Sequence, residues 1–579
     1  MILRSRLLPV VALAALLGVP VTAEAAKSPP AAPQAGAGDI NTVSGSYLAG
    51  RFAQARRDVA AAARYYGHAL ARDPAAPDLL RRTFILTLMA GDVAEATQLA
   101  ERLLAADKQV PLAPVALAAK AMRSHEWAAV ETLLTPLPDT GLNVFTKPMF
   151  LAWAKMGAGD TQAALKALAV LGKTQGASVL HDLHAALIND LAGNFTEAVK
   201  LYVKVTESQA KPTLRLTLLL GSLYERMGQA DRARALYRLF EDENPGSAHV
   251  KASLARLDKG GRPPIVVASA ADGAAEALFG IARILQAQNN GDPALVLGRL
   301  ALHLKPGFPN LRYLVGEILE GDERLEQAVA MYRAIDKDSP FAWPARLRIA
   351  GALEELERIE EAEALLKSMS TERTDDPVPL IALGDLMRGK KAWTDAVDAY
   401  DTAMERVGTP AKRHWRLFNS RGIALERAKL WPRAEADFQK ALALEPDQPF
   451  VLNYLGYTWI ERGLHLDKAL GMIQTAVRQR PKDGYIVDSL GWGYYQVGDY
   501  QNAVRELERA VELRPHDPII NDHFGDALWR VGRTREARFQ WNHSLTMEPE
   551  DDLRQKIEVK LTQGLPPAKP KRGAKTDGG

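Results

Sequence analysis

The chain has 579 residues, 47% hydrophobic and 25% charged, which is too long for one hydrophobic core and ordinary in composition for a folded body. It contains no cysteine, which excludes disulfides, cysteine-ligated zinc, thiol catalysis and a lipid-modified N-terminal cysteine. The 73 basic and 70 acidic side chains leave +3. Lys569, Lys571, Arg572 and Lys575 against Asp577 account for as much within the last residues, so no clustered basic face of the kind nucleic acid requires is found.

In chain order, Arg4 and Arg6 precede an apolar run from Leu7 to Val19, followed by Ala23-Glu24-Ala25 in the A-x-A arrangement of signal peptidase sites. Residues 1–25 are read as a signal peptide, cleaved after Ala25 or Ala26. The run is shorter than the roughly 20 apolar residues a membrane anchor needs, and Pro9 and Pro20 break it. The expectation is an exported, periplasmic chain with no stable membrane insertion after cleavage. Residues 26–42 read as a flexible Pro/Ala/Gly leader.

A repeat then takes over. Ala or Val recurs at Ala62, Ala96, Val130, Ala164, Ala198 and Ala233, and again at Ala328, Ala362, Ala396, Ala434, Ala469, Ala503 and Ala537, almost always 34 or 35 residues apart. A small residue stands twelve positions earlier in most units, as at Gly50, Ala118, Gly316, Gly384, Gly422, Gly491 and Gly525. A proline closes many of them, as at Pro74, Pro245, Pro446, Pro481 and Pro515. Apolar residues three and four apart within each half predict two amphipathic helices joined by a turn, and proline stops the second helix. One such hairpin cannot bury both faces, so neighbours must stack.

The spacing predicts about fourteen hairpins in two blocks: residues 43–247 with six and residues 273–550 with eight. An irregular joint is expected at 248–272, where Lys259-Gly260-Gly261-Arg262-Pro263-Pro264 and Ile265-Val266-Val267 interrupt the pattern. It is either a hinge or a packed link. Residues 551–563 read as a capping helix and 564–579 as a disordered basic tail.

Leu490-Gly491, Tyr494, Gly498, Ala503, Leu507, Ala510 and Pro515 match the tetratricopeptide-repeat (TPR) signature position by position. The resemblance implies an all-α, right-handed superhelical solenoid. Leu452-Asn453-Tyr454-Leu455-Gly456-Tyr457, Asp488-Ser489-Leu490-Gly491-Trp492 and Asn521-Asp522-His523-Phe524-Gly525-Asp526 resemble exported bacterial TPR envelope adaptors, some serving carboxyl-terminal processing proteases. That likeness implies a non-enzymatic scaffold or adaptor whose polypeptide partner is, for example, a processing protease or cell-wall hydrolase. The alternative is an assembly or secretion factor for an envelope polysaccharide or surface structure. The oligomeric state stays open.

No H-E-x-x-H, G-x-S-x-G or strand-borne G-x-G-x-x-G occurs. Gly172-Lys173-Thr174 lacks the earlier glycine of a phosphate loop, since Ala167 stands there. His181 and His184 read as one exposed and one packed histidine rather than a metal pair. No catalytic residue, metal site or cofactor is expected.

The residues singled out as a partner groove lie on the first helices of the last three hairpins. Stepping by the repeat aligns Asn453, Asp488 and Asp522, then Tyr457, Trp492 and Asp526, then Ile460, Tyr495 and Trp529, with Asn419 extending the first row. Polar side chains beside aromatics suit a peptide: the former pair with its backbone, and the latter give area at low entropy cost. Asp488, Trp492 and Asp522 are expected to face the groove; Tyr495 and Trp529 either face it or pack between hairpins. The rows show no basic residue to hold a terminal carboxylate, which favours a partner offering an amine, Lys or Arg.

Overall fold

A computed structural model describes residues 42–567, apart from 108, 109, 111, 210, 212, 245, 246 and 264. The signal peptide, all but the last residue of the leader, residues 568–579, and Pro111, Pro245 and Pro264 lie outside the described residues. Within them the chain forms thirty α-helices and no strand. Twenty-eight helices pair into fourteen hairpins, the other two being Ala248–Asp258 and Asp551–Gln563.

The row of small residues has a direct packing cause. Each faces a large side chain sixteen residues further on, across the hairpin: a Cβ on Gly384 would lie 2.5 Å from the Tyr400 ring, and one on Gly525 2.5 Å from that of Trp541. The aromatic partners Tyr66, Tyr237, Tyr332, Tyr400, Phe438 and Trp541 are all buried to 2% exposure or less. In these hairpins the two helices therefore close over one aromatic ring, with Leu507 in that place opposite Gly491, and any larger residue at the small position would wedge them apart. The turn between them needs a left-handed residue, supplied by glycine at Gly498 (φ 80°) but by Lys429 (φ 64°) in hairpin eleven.

The chain divides into two compact units, one ending at Ala362 and the other beginning at Glu363, inside the second helix of hairpin nine (Ile359–Glu372). This grouping differs from the break expected at 248–272. The expected irregular joint contains the eleven-residue helix Ala248–Asp258, packed on the second helix of hairpin six with Val250 buried and Arg256 paired to Glu225 at 2.7 Å. The helix thus covers the sixth hairpin, as a cap does.

Hairpin seven explains why the first unit extends so far. Its first helix, Ala270–Ala287, packs against the first helices of hairpins three (Ala113–Arg123), four (Asn143–Gly157) and five (Ser178–Leu191). Its second helix, Gly291–Leu304, packs against the first helices of hairpins two (Pro77–Ala90) and three. Ala270–Ala287 is apolar nearly all round, with eleven of its residues buried, as expected for a helix enclosed on several sides. Gly273 lies against the Trp153 ring so closely that a Cβ has no room. Glu276 is buried and paired to Arg215 of hairpin six, and Lys305 reaches Asp272 at 3.1 Å. The first-helix face of hairpins two to five is therefore filled by the chain itself.

His184 is buried and accepts a hydrogen bond from Trp153 Nε1 at 3.2 Å; burial lowers its pKa to about 3 and keeps it neutral. His181 is partly exposed and pairs with Asp182. Packing accounts for both rings. No described helix is long and apolar enough to cross a membrane.

Candidate partner-binding face of the second unit

The first helices of hairpins twelve (Pro449–Arg462), thirteen (Gly484–Gln496) and fourteen (Pro518–Arg530) carry the residues aligned by the repeat. Spacings of four and three put each set on one helix face, and stacking brings the sets together. His523 of hairpin fourteen stacks on Trp492 with ring centroids 4.0 Å apart, and Trp492 stacks on Tyr495 at 4.6 Å. Trp492 Nε1 donates to Glu461, and Arg530 Nε donates to the Tyr495 hydroxyl at 3.2 Å. Aromatic and polar groups of three hairpins thus form one continuous surface.

The acids, of which Asp488 and Asp522 were expected to face the groove, are buried. Asp488, Asp522 and Asp526 are only 7%, 5% and 5% exposed. Each draws its counter-charge from the next first helix: His523 Nδ1 lies 3.0 Å from Asp488 Oδ1. Lys560 of the capping helix (Asp551–Gln563) reaches Asp522 at 2.7 Å and Asp526 at 2.8 Å. Asp526 also accepts from Trp541 Nε1 at 2.9 Å. Burial, then the Asp522 carboxylate, pushes Asp526 up to about 6 against the pull of Lys560. Burial alone would lower His523, but Asp488, Asp522 and Asp526 outweigh it and raise its pKa. Basic groups at these rows therefore exist, as His523, Lys560 and Arg530, where none was expected. The reason is geometric: Lys560 is one 34-residue step beyond Asp526, on the helix that stands where a fifteenth first helix would.

Trp529 packs between the last hairpin and the chain leaving the cap, tilted against Trp541 at 5.4 Å and covering Gly564. Tyr457 is half-buried; burial, then Glu461 and Asp488, raises its hydroxyl pKa. Asn453 and Asn419, 34 residues apart, each hold a buried side-chain oxygen with no hydrogen-bond partner in the protein.

One row was missed. Phe450, Tyr485 and Ile519 stand three residues before Asn453, Asp488 and Asp522 and are 45%, 52% and 51% exposed. Arg480 lies over the Phe450 ring at 4.5 Å and Arg514 over Tyr485 at 4.9 Å. The signal was the same repeat step, read one turn too late on each helix. Three large apolar side chains left open in repeat register are unlike the scattered singles of an ordinary surface.

Models of the tetratricopeptide repeat match residues 319–386 in one case and residues 190–248, 380–449 and 489–548 in another. A TPR repeat-containing protein of Pseudomonas aeruginosa is 27% identical over 198 residues, covering 33% of this chain and 32% of that protein. The match thus spans about a third of the relative's length. Among solved structures, the APC/C hetero-tetramer Cut9–Hcn1 is 15% identical, covering 90% of this chain and 96% of that one at a TM-score of 0.38. A thermophilic TPR protein of Thermus thermophilus is 19% identical, covering 32% of this chain and 99% of its own at a TM-score of 0.28.

Stacked hairpins with a repeated small-to-aromatic contact define a helical-repeat scaffold for protein–protein interaction. With the sequence matches, the chain is a tetratricopeptide-repeat protein, a class that binds protein or peptide partners.

Proposed function

We propose that this chain is an exported, non-enzymatic adaptor of the bacterial cell envelope, soluble in the periplasm, that holds a polypeptide partner on the first-helix face of hairpins eleven to fourteen. Its partner is an envelope enzyme such as a processing protease or wall hydrolase. The observation that carries the reading is the open row Phe450, Tyr485 and Ile519 beside the half-buried Tyr457 and Trp492 and the unpaired oxygens of Asn453 and Asn419. Apolar side chains of a partner would seat on the row. In the first unit, by contrast, hairpin seven covers that face. The signal-like sequence of residues 1–25 supports export.

The test is cross-linking in intact cells, with the partner identified by mass spectrometry and its affinity measured on purified components. Changing Phe450, Tyr485 and Ile519 together to Ser removes exposed side chains, so circular dichroism and melting should hardly change while affinity falls about thirtyfold or more. Undiminished binding by that variant would remove the face from the account. Export is checked separately: the mass of the protein released by osmotic shock should place its first residue at Ala26 or Lys27. Retention of Met1 there would contradict it.

A further inference from the structure

The open row of large apolar side chains has positive charge laid against it. Arg480 and Arg514 follow directly on the second helices of hairpins twelve (Leu466–Gln479) and thirteen (Tyr500–Leu513). Their guanidinium carbons lie 4.5 Å from the Phe450 ring centroid and 4.9 Å from that of Tyr485. Both arginines are exposed, and among the described residues neither side chain makes an ion pair or a hydrogen bond. Other arginines of the same unit are engaged by acids, Arg421 by Asp437 at 2.7 Å and Arg433 by Asp401 at 2.8 Å. The acids nearest in sequence have other roles: Asp517 accepts from the N–H groups of Ile519 and Ile520 at 2.9 and 3.1 Å. Glu445, in the place of Arg480 one hairpin earlier, pairs with Lys412 at 3.0 Å. The placement of Arg514 also depends on its neighbour. A Cβ on Gly484, the first residue of the helix that bears Tyr485, would lie 2.5 Å from Arg514 Cγ, so a side chain there would push the arginine stem away from the ring.

We propose that the segment held on this face is acidic: an extended stretch whose apolar side chains seat on Phe450, Tyr485 and Ile519 and whose Asp or Glu side chains pair with Arg480 and Arg514. The proposal rests on the partner-binding reading and supplies the partner's chemistry. It reverses the amine-, Lys- or Arg-bearing partner expected from the aligned rows, because the carboxylates of those rows are already paired with His523 and Lys560. A guanidinium lying over an aromatic ring keeps its N–H groups at its edge, where a carboxylate takes two of them without lifting it from the ring. Its position is already restricted, so binding orders it further at little entropic cost. Neighbouring first helices stand about 10 Å apart, and an extended chain advances about 3.3 Å per residue. An apolar residue at every third position therefore matches the row, with the acids between. Glu548 holds the corresponding place in hairpin fourteen, so the acids belong over hairpins twelve and thirteen. Arg416, exposed, without an ion pair and in the Phe450 register one hairpin earlier, continues the cationic side into hairpin eleven.

The probes are three fluorescein-labelled synthetic peptides, Leu-Glu-Ser, Leu-Gln-Ser and Leu-Lys-Ser, each repeated four times and measured against the full chain by fluorescence polarisation. At low salt the Glu peptide should bind about tenfold or more better than the Lys peptide, with the Gln peptide between, and the preference should fade as salt rises. Arg480→Glu with Arg514→Glu should invert the order. Arg480→Lys with Arg514→Lys keeps the charge and loses the two-toothed edge, so the order should persist with severalfold weaker binding of the Glu peptide. Both positions are exposed, so melting should match the parent in each variant. Binding of the Lys peptide as tight as that of the Glu peptide, an order that charge reversal leaves unchanged, or no binding of the Glu peptide at millimolar concentration overturns the acidic partner. If all three peptides bind alike and changing Phe450, Tyr485 and Ile519 to Ser abolishes binding, the face stands and only its charge preference is lost. If that triple variant binds the Glu peptide as the parent does, the face itself fails.

Discussion

Replacing Lys560 by Met tests whether the capping helix is held by the charge network. The lysine side chain is 15% exposed and the two carboxylates it bridges are 7% exposed. Met keeps most of the apolar stem and deletes the cation, so Asp522 and Asp526 are left buried beside one remaining positive group, His523. Removing one partner of a buried ion pair costs about 3–5 kcal/mol. The cost should depend on pH, because Asp526, already pushed up to about 6, can take a proton and share it with Asp522. At pH 7.5 we expect about 3 kcal/mol or more, equivalent to over a hundredfold faster exchange at 1.4 kcal/mol per tenfold. At pH 5.5 we expect a far smaller difference. Hydrogen exchange by mass spectrometry reads this on peptides from 518–563, each variant compared with its parent at the same pH. Asp526→Asn in the Met background should recover a large part of the loss. Protection within threefold of the parent at pH 7.5, or loosening that reaches hairpins ten and eleven equally, would refute the network as the clamp.

Further outcomes follow from the same geometry. Gly491→Val places a Cβ 2.5 Å from Leu507 Cγ and 3.0 Å from its backbone nitrogen. It should cost roughly 1–3 kcal/mol by overpacking, confined to the neighbourhood of hairpin thirteen because repeat stability is nearly a sum of neighbour terms; exchange rates unit by unit check this. Gly273→Leu should loosen hairpin seven from Trp153 and expose the first helices of hairpins three to five to exchange, leaving the second unit unchanged. Stability at the end of the second unit should fall as pH rises from 5 to 8. Both Asp526 and His523 have raised pKa values in the folded state, so the folded form binds more protons than the unfolded one across this window. Exchange protection at 518–563, corrected for intrinsic rates, should decline over that range, and Asp526→Asn should flatten the lower part of the decline.

The hairpins were legible because each is written locally: apolar residues three and four apart, a turn, a small residue and a closing proline. About fourteen hairpins were expected from the spacing, and the described helices form fourteen. What escaped depends on contacts between distant repeats. Hairpin seven is the least regular in the repeat, lying between Ala233 and Ala328, and only the nearly continuous apolar surface of Ala270–Ala287 hints that it packs against hairpins two to five. Asp488 and Asp522 look solvated in a single helix, since their burial comes from His523 and Lys560 on the helices stacked beside them. Carrying the repeat step past hairpin fourteen, onto the cap, would have paired Lys560 with Asp526 in advance. The row of Phe450, Tyr485 and Ile519 was equally visible, but exposure of a large apolar residue is a property of the stack and not of the helix that bears it.

The most direct test of the partner face is site-specific photocross-linking in intact cells, with a photoreactive residue in place of Tyr485 and, as a control, in place of Phe539. Phe539 lies on the second helix of hairpin fourteen and is 67% exposed. A discrete polypeptide adduct is expected from position 485 and none from 539. An adduct from 539 with none from 485 would place the partner on the opposite side of the hairpins and contradict it.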